Sequence, residues 1–202
     1  MQFRLTYEGK LLSNGPNQHK HEIRKTFHPQ LRRLWDITPS LKEMRNPVLD
    51  LVEVKRAADR SRVEYLAEQF SRNNYHFVPL VTRDLGLSFC GIDILFLRPD
   101  PPGGVLTKSD IDNRLKTLFD ALRMAEGKAE LGGYDVPSPD EIPFFCLLED
   151  DALVTKVSVE TDFLLQPIGA EFDKNDVKLI ITVTLQAAIA RLDLRFRSVN
   201  FH

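Results

Sequence analysis

The sequence predicts an α/β (α+β) protein, a small mixed β-sheet packed with helices, and three observations lead to this fold class. The 202 residues suit one domain with a sizeable core. The composition is 43% hydrophobic and 28% charged, as in ordinary globular proteins. Short apolar runs typical of strands alternate with patterns of helical period. No apolar run approaches the roughly 18–20 residues that cross a membrane, so no membrane association is expected.

The first half of the chain predicts strands and helices in alternation. Residues 1–13 place Phe3, Leu5 and Tyr7 on one side of a strand that ends at a turn over 13–16. A proline within 77–81 predicts an edge or irregular strand there. The remaining predictions are a basic amphipathic helix over 19–35, a loop with short helical pieces over 36–57, a helix over 58–72 and a strand over 86–97.

Three histidines, His19, His21 and His28, lie on the helix predicted over 19–35. Their spacing matches no zinc pattern, and no cysteine accompanies them. The pattern therefore favours surface histidines over metal ligands.

The stretch from Lys108 to Leu122 predicts a helix with two different faces. An apolar stripe recurs at helical spacing at Ile111, Leu115, Leu118 and Leu122. A polar side carries Asp112, Lys116 and Asp120, and Asp110 and Asn113 lie at the start, where the helix dipole favours anions. An alternative remains open, since Ser109 with Asp112 fits a capping box and Asp110 would itself make a good N-cap.

A second acidic group, Glu149–Asp150–Asp151, follows an apolar strand predicted over 144–148. Charges this close to a core usually need a partner or a metal, although acidic runs are also common in loops. Residues 126–142 predict a long exposed loop. Strands are expected over 152–165 and 177–189, and residues 191–202 predict an edge strand or a partner arm.

The charge distribution and the cysteine content indicate which partners and which cellular compartment to expect. Residues 1–75 hold 14 Lys and Arg against 9 Asp and Glu, while the net charge of the whole chain is −2. The basic half could face a polyanion, but a mixed solvated surface is the better explanation of so small an excess. Cys90 and Cys146 lie in apolar runs and predict buried reduced thiols. With no signal peptide pattern at the N-terminus, the expected location is cytoplasmic.

Two segments together resemble the RusA family of Holliday junction resolvases. Residues 109–122 read SDIDNRLKTLFDAL and residues 148–154 read LEDDALV. The family carries an Asp-x-Asp-Asn-x-x-Lys helix ending in Asp-Ala-Leu, followed by an Asp-Asp-Ala-x-Val segment. The resemblance covers roughly residues 88–165. On this basis residues 1–202 form one RusA-like domain, with 1–75 as an N-terminal extension or elaboration and 126–142 as an inserted loop.

The resemblance implies a homodimer that makes paired Mg²⁺-dependent nicks in branched DNA, with Mn²⁺ as a possible substitute. It assigns the metal-binding carboxylates to Asp110, Asp112 and Asp151, with Asp150 as the neighbour that shares the site. Lys116 would stabilise charge on the attacked phosphate. Asn113 and Asp120 would support these groups.

The function expected from sequence is therefore a metal-dependent, structure-selective endonuclease that resolves four-way junctions. Two alternatives remain. One is a non-catalytic nucleic-acid-binding or assembly protein on the same fold, and the other is a metal-dependent phosphodiesterase with a different substrate.

Overall fold

The computed structural model describes residues 1–44, 60–83, 87–100 and 110–187, with the backbone alone at residues 87, 88, 110 and 187. This part of the chain has an α+β fold, which confirms the predicted class. The α-helices are α1 (Asn17–Ile37), α2 (Pro39–Lys42), α3 (Arg62–Gln69) and α4 (Asp110–Leu122). The strands are β1 (Gln2–Lys10), β2 (Ser71–Arg72), β3 (Tyr75–Val81), β4 (Leu87–Arg98), β5 (Phe144–Leu148), β6 (Val154–Phe163) and β7 (Asp176–Ala187).

A four-stranded sheet in the order β1-β7-β4-β6 forms one layer. β7 is antiparallel to both β1 and β4, and β4 is parallel to β6. Because side chains alternate along a strand, the odd-numbered residues of β7 from Val177 to Leu185 all point to one face and all are buried. This face is the floor of the core on which the helices pack.

A smaller sheet in the order β2-β3-β5 lies at the other side of the core. β3 and β5 are parallel, and every residue of β5 is buried. Pro79 lacks an N–H, but β2 pairs only with Tyr75 and His76, so at Pro79 the strand has β5 as its one described neighbour. The expected edge position for this proline is confirmed.

Helix α1 packs against β5, α4 and β1 through a stripe of buried side chains at Ile23, Phe27, Leu31 and Trp35. The first 37 residues thus supply both a strand of the main sheet and a central helix. The predicted strands and helices are found with shifted ends. The loop expected over 36–57 contains α2, and its remainder from residue 45 lies outside the described residues, as does the tail over 191–202.

Within the described residues, no helix is long and apolar enough to cross a membrane. Both cysteines are buried and free, as predicted. Burial raises the pKa of Cys90 to about 11 and that of Cys146 to about 12, so neither thiol is reactive at neutral pH.

The expectation of surface histidines on α1 is wrong at two positions, since His21 is 0% and His28 is 4% exposed. The Arg24 guanidinium donates to His21 Nδ1 at 3.0 Å, which leaves Nε2–H to donate to the Tyr75 hydroxyl at 3.3 Å. His28 Nδ1 accepts from the backbone N–H of Phe145 at 2.9 Å. Both rings are therefore packed and hydrogen-bonded in the neutral form, and a basic helix pattern does not reveal this.

Acidification should destabilise the protein through His21. Burial, reinforced by the positive charge of Arg24, lowers the pKa of His21 from 6.5 to about 4. The unfolded chain then binds the proton more readily, so the stability is complete above pH 6.5 and is lost as the pH falls towards 4. We expect His21 to account for about 2 kcal/mol of lost unfolding free energy between pH 6.5 and 5, measured by urea unfolding.

The control for this pH effect is His76, which is exposed. The His21→Gln variant should show a smaller pH dependence than the wild type in this window, with the remainder due to His19 and His28, whose pKa values burial also lowers. His76→Gln should keep the full pH dependence. Equal slopes for the two variants would contradict the assignment to His21.

The segment 126–142 is not simply an exposed loop, which corrects the prediction. It contains 3₁₀ turns at Lys128–Leu131 and Pro139–Glu141, and Leu131 and Glu141 are buried. Gly132 has φ +61°, and a Cβ there would lie 2.2 Å from the Cα of Gln18 at the start of α1. The backbone of the segment at Gly132 therefore packs directly against the backbone of α1.

Gly132→Ala should lower the unfolding free energy by at least about 2 kcal/mol, because it combines left-handed backbone strain with a clash that no side-chain rotation relieves. Gly127→Ala is the matched control, since nothing lies within 4 Å of its Cβ position and its φ is −143°. Thermal unfolding of both variants measures the difference. Equal midpoints would show that the segment is not held against α1.

Candidate active site

Backbone hydrogen bonds join the end of α4 to the end of β5. The N–H of Met124, just after α4, donates to the Leu148 carbonyl at 2.9 Å, and Arg123 forms a parallel bridge with Leu148. On the other side of β5, the N–H of Glu149 donates to the Val81 carbonyl at 2.9 Å. The acidic group 149–151 is therefore fixed in position relative to α4.

Helix α4 is held at its first half by buried polar contacts as well as by its apolar stripe. Arg114 Nη1 donates to the Leu11 carbonyl at 2.9 Å. The Thr117 hydroxyl accepts from the N–H of Gly15 at 2.9 Å. Ile111, Leu118 and Leu122 are buried as predicted, whereas Leu115 is only partly buried.

An open cavity of about 480 Å³ lies between α4, the turn after β5 and the start of β6. It brings together four of the residues predicted for the site, namely Asp112, Lys116, Asp120 and Asp151. The remaining lining residues are apolar, and we call them the apolar wall: Leu115, Phe119, Val154 and Val157. Two segments far apart in sequence thus meet at one cavity.

Asp112, Lys116 and Asp151 are solvent-exposed side chains of this cavity. Among the described residues, neither Asp112 nor Lys116 has an ion-pair partner. Charges in surface helices are commonly neutralised by partners three or four residues away. Here a carboxylate and an ammonium group remain available to a ligand instead.

Asp120 differs from these residues because its carboxylate is already paired. Lys20 Nζ lies 2.8 Å from Asp120 Oδ2, and Arg123 Nε lies 3.7 Å from Oδ1. Both side chains of the Lys20 pair are mostly buried, at 21% and 17% exposure. Asp120 therefore lines the cavity as a carboxylate that is already neutralised, and its supporting role remains a prediction of the resemblance.

Asp150 does not line the cavity. Its carboxylate is paired with Arg83 and accepts from the N–H of Ala152 at 2.9 Å, capping the 3₁₀ turn Asp151–Leu153. This backbone hydrogen bond, together with the charge of Arg83, lowers the pKa of the Asp150 carboxyl. The cap turns the chain so that the next residue, Asp151, reaches the cavity.

The two other predicted residues lie at the start of α4. Asp110 is the first residue of the helix, and its side chain is not among those described. Asn113 is half-buried, and its carbonyl accepts from the Thr117 hydroxyl at 3.1 Å. Ser109, the alternative capping residue, lies outside the described residues.

Sequence reasoning missed Lys20, Arg24 and the apolar wall. Arg24 is 2% exposed, donating through Nη2 to the Asp120 carbonyl at 2.7 Å and through Nε to the Arg123 carbonyl at 2.8 Å. It therefore satisfies one carbonyl in the last turn of α4 and one just after the helix. The sequence carried no signal for this contact, because a basic residue on a basic helix is expected to be solvated.

The donor chemistry of the cavity fits a hard divalent cation. Asp112 and Asp151 offer carboxylate oxygens, and Mg²⁺ is commonly held by one or two carboxylates with water and substrate phosphate completing its shell. Among the side chains that the structure describes, no three His, Cys, Asp or Glu residues are grouped closely enough to hold a metal by themselves.

Comparison with known proteins adds no relative. No protein-family model matches the sequence, no curated protein matches it, and no solved structure matches the fold.

Proposed function

We propose that this protein is a Mg²⁺-dependent, structure-selective DNA endonuclease that cuts four-way junctions by paired phosphodiester hydrolysis. The observation that carries the proposal is the convergence of Asp112, Lys116, Asp120 and Asp151 on one open cavity. These residues come from the two segments on which the resemblance to RusA resolvases rests. Two exposed carboxylates beside a lysine suit a metal and a phosphate better than they suit an apolar or neutral ligand.

Each residue then has a chemical role in hydrolysis. Asp112 and Asp151 would hold the cation, with Asp110 as the third carboxylate by resemblance. Bound there, Mg²⁺ would polarise the phosphoryl oxygen and lower the pKa of the attacking water. Lys116 would place its ammonium group where negative charge grows on the phosphate in the transition state. Asp120, paired with Lys20, would keep this end of α4 in place.

Resolution of a junction requires two opposed cuts, so the proposal includes a homodimer with one cavity per subunit. A junction has two-fold symmetry, and a two-fold dimer would present its two sites to two opposed strands. The partner is branched DNA, and the proposed location is the cytoplasm.

The test is cleavage of an end-labelled synthetic four-way junction with Mg²⁺, Mn²⁺ or EDTA, beside linear duplex and single-stranded DNA of the same sequence. The expected result is paired nicks near the branch that require the metal. Binding without cleavage would indicate a non-catalytic DNA-binding protein. Metal-dependent turnover of small phosphodiesters with no preference for the junction would indicate another phosphodiesterase.

A further inference from the structure

The apolar wall makes up half of the cavity and has no part in binding a metal or a phosphate. Phosphate recognition needs cations and N–H donors, whereas Leu115, Phe119, Val154 and Val157 offer only carbon surface. Isolated exposed apolar residues are ordinary on protein surfaces. These four, however, line one cavity together with charged Asp112, Lys116 and Asp151.

The apolar wall remains accessible to solvent because α4 covers only part of the main sheet. Ile92 on β4 and Val157 on β6 are register partners and point to the same face, yet Ile92 is 0% and Val157 is 48% exposed. The core is thus closed over β4, while a recess lined by both α4 and β6 remains open. Leu115 and Phe119, which are four residues apart and so adjacent on the helix surface, form the opposite side of this recess.

We propose that the apolar wall is a base-binding subsite, in which an unpaired nucleobase at or next to the cut nucleotide stacks on Phe119. Aromatic and aliphatic side chains are the surfaces on which unstacked bases pack in single-strand-binding sites. The inference rests on the proposed function and adds a requirement to it, namely that the base beside the cut leaves the duplex stack.

The geometry along α4 supports this arrangement. Lys116 and Phe119 are three residues apart and neighbours on the helix surface. Asp112 lies two turns before Phe119, about 10 Å along the helix axis. A phosphate near Asp112 and Lys116 would therefore have its own or the adjacent base within reach of Phe119. The volume of about 480 Å³ lies in the range of pockets that enclose small ligands.

The experiment combines a base deletion in the DNA with a change at Phe119. Junctions carrying an abasic nucleotide on either side of the mapped cut are compared with the intact junction, under single-turnover conditions with Mg²⁺. The wild-type protein should cut one of the abasic junctions about ten-fold more slowly, the loss typical of removing one base–aromatic stack. Phe119→Leu should cut the intact junction about ten-fold more slowly and be indifferent to the abasic change.

Two controls keep the outcome specific. Phe119→Leu keeps most of the side-chain volume, and thermal unfolding will show whether it folds as the wild type does. Phe119→Trp should restore cleavage because it restores an aromatic face. Phe172→Ala removes an exposed phenylalanine near Lys10, in a different cavity, and should change neither the rate nor the response to the abasic nucleotide.

The failures of the two proposals are distinguishable. Cleavage that is insensitive to both the abasic nucleotide and Phe119→Leu would overturn the subsite and leave the endonuclease proposal intact. If the wild-type protein with Mg²⁺ cuts no branched DNA, both proposals are overturned. Equal abasic effects in the wild type and in Phe119→Leu would place the base elsewhere and also overturn the subsite.

Discussion

Asp112→Asn should reduce metal-dependent junction cleavage by about 1,000-fold or more while leaving the fold unchanged. The substitution keeps the shape of the side chain but removes the charge that a divalent cation requires. A bound metal contributes several kcal/mol to stabilising a phosphoryl transition state, and each 1.36 kcal/mol corresponds to a ten-fold change in rate. Asp112 is exposed, has no ion-pair partner among the described residues and should therefore be replaceable without unfolding.

The effect is measured by single-turnover cleavage over a range of Mg²⁺ concentrations. Asp151→Asn should show a loss of the same order, because the two carboxylates would share the cation. Glu160→Gln is the matched control, since Glu160 is an exposed carboxylate on the opposite face of β6 from Val157. Similar rates for Asp112→Asn and Glu160→Gln would exclude Asp112 from the metal site.

Junction affinity separates a metal site from a DNA-contact site. Measured in EDTA, binding should be nearly unchanged in Asp112→Asn, because the carboxylate is not needed to hold DNA when no metal is present. In Lys116→Gln the affinity should fall modestly and become less dependent on salt, since one phosphate contact is lost.

The fold class and most elements could be predicted from sequence because their signals are local. The apolar period of α4 and the uninterrupted apolar run of β5 lie within single elements, and both form as expected. Among the described residues, Pro79 lies where β3 pairs with β5 on one side only, and this position follows from its missing N–H alone. The pairing order β1-β7-β4-β6 could not be predicted, because the sequence of a single strand does not indicate which other strands will pair with it.

The charged residues of the candidate site could be predicted from the sequence, whereas the shape of the cavity around them could not. Asp112 and Lys116 stand out because they repeat on the polar side of an amphipathic helix. The openness of the cavity depends on where α4 stops covering β6, which is a property of the packed layers. The same reason explains His21, which a helical pattern assigns to the surface although β3 and the segment 126–142 enclose it through Tyr75 and Tyr134.

The largest stability effect is expected at Arg24, which connects α1 to the end of α4. Its guanidinium donates to the carbonyls of Asp120 and Arg123 and to His21, and it is among the largest fully buried side chains. Burial lowers its pKa to about 10, so it still carries a charge at neutral pH. Arg24→Met fills much of the space but leaves two buried carbonyls and the His21 nitrogen without donors.

We expect Arg24→Met to lower the unfolding free energy by about 3–5 kcal/mol, because an unsatisfied buried polar group costs about 1–3 kcal/mol and three would be created. This is a large fraction of the 5–15 kcal/mol that stabilises a typical domain. The measurement is urea unfolding at pH 7. Arg33→Met on the same helix is the control, because Arg33 is exposed and such changes usually stay within about 0.5 kcal/mol.

The same variant tests whether Arg24 also positions the cavity. Asp120 itself supplies one of the carbonyls to which Arg24 donates. Loosening the end of α4 should therefore disturb the Lys20–Asp120 pair and slow junction cleavage even where the protein remains folded. At a temperature well below its unfolding midpoint, Arg24→Met should therefore cleave more slowly than Arg33→Met. Full activity in a folded but destabilised Arg24→Met protein would show that the buried guanidinium stabilises the fold alone and that the cavity keeps its shape without it.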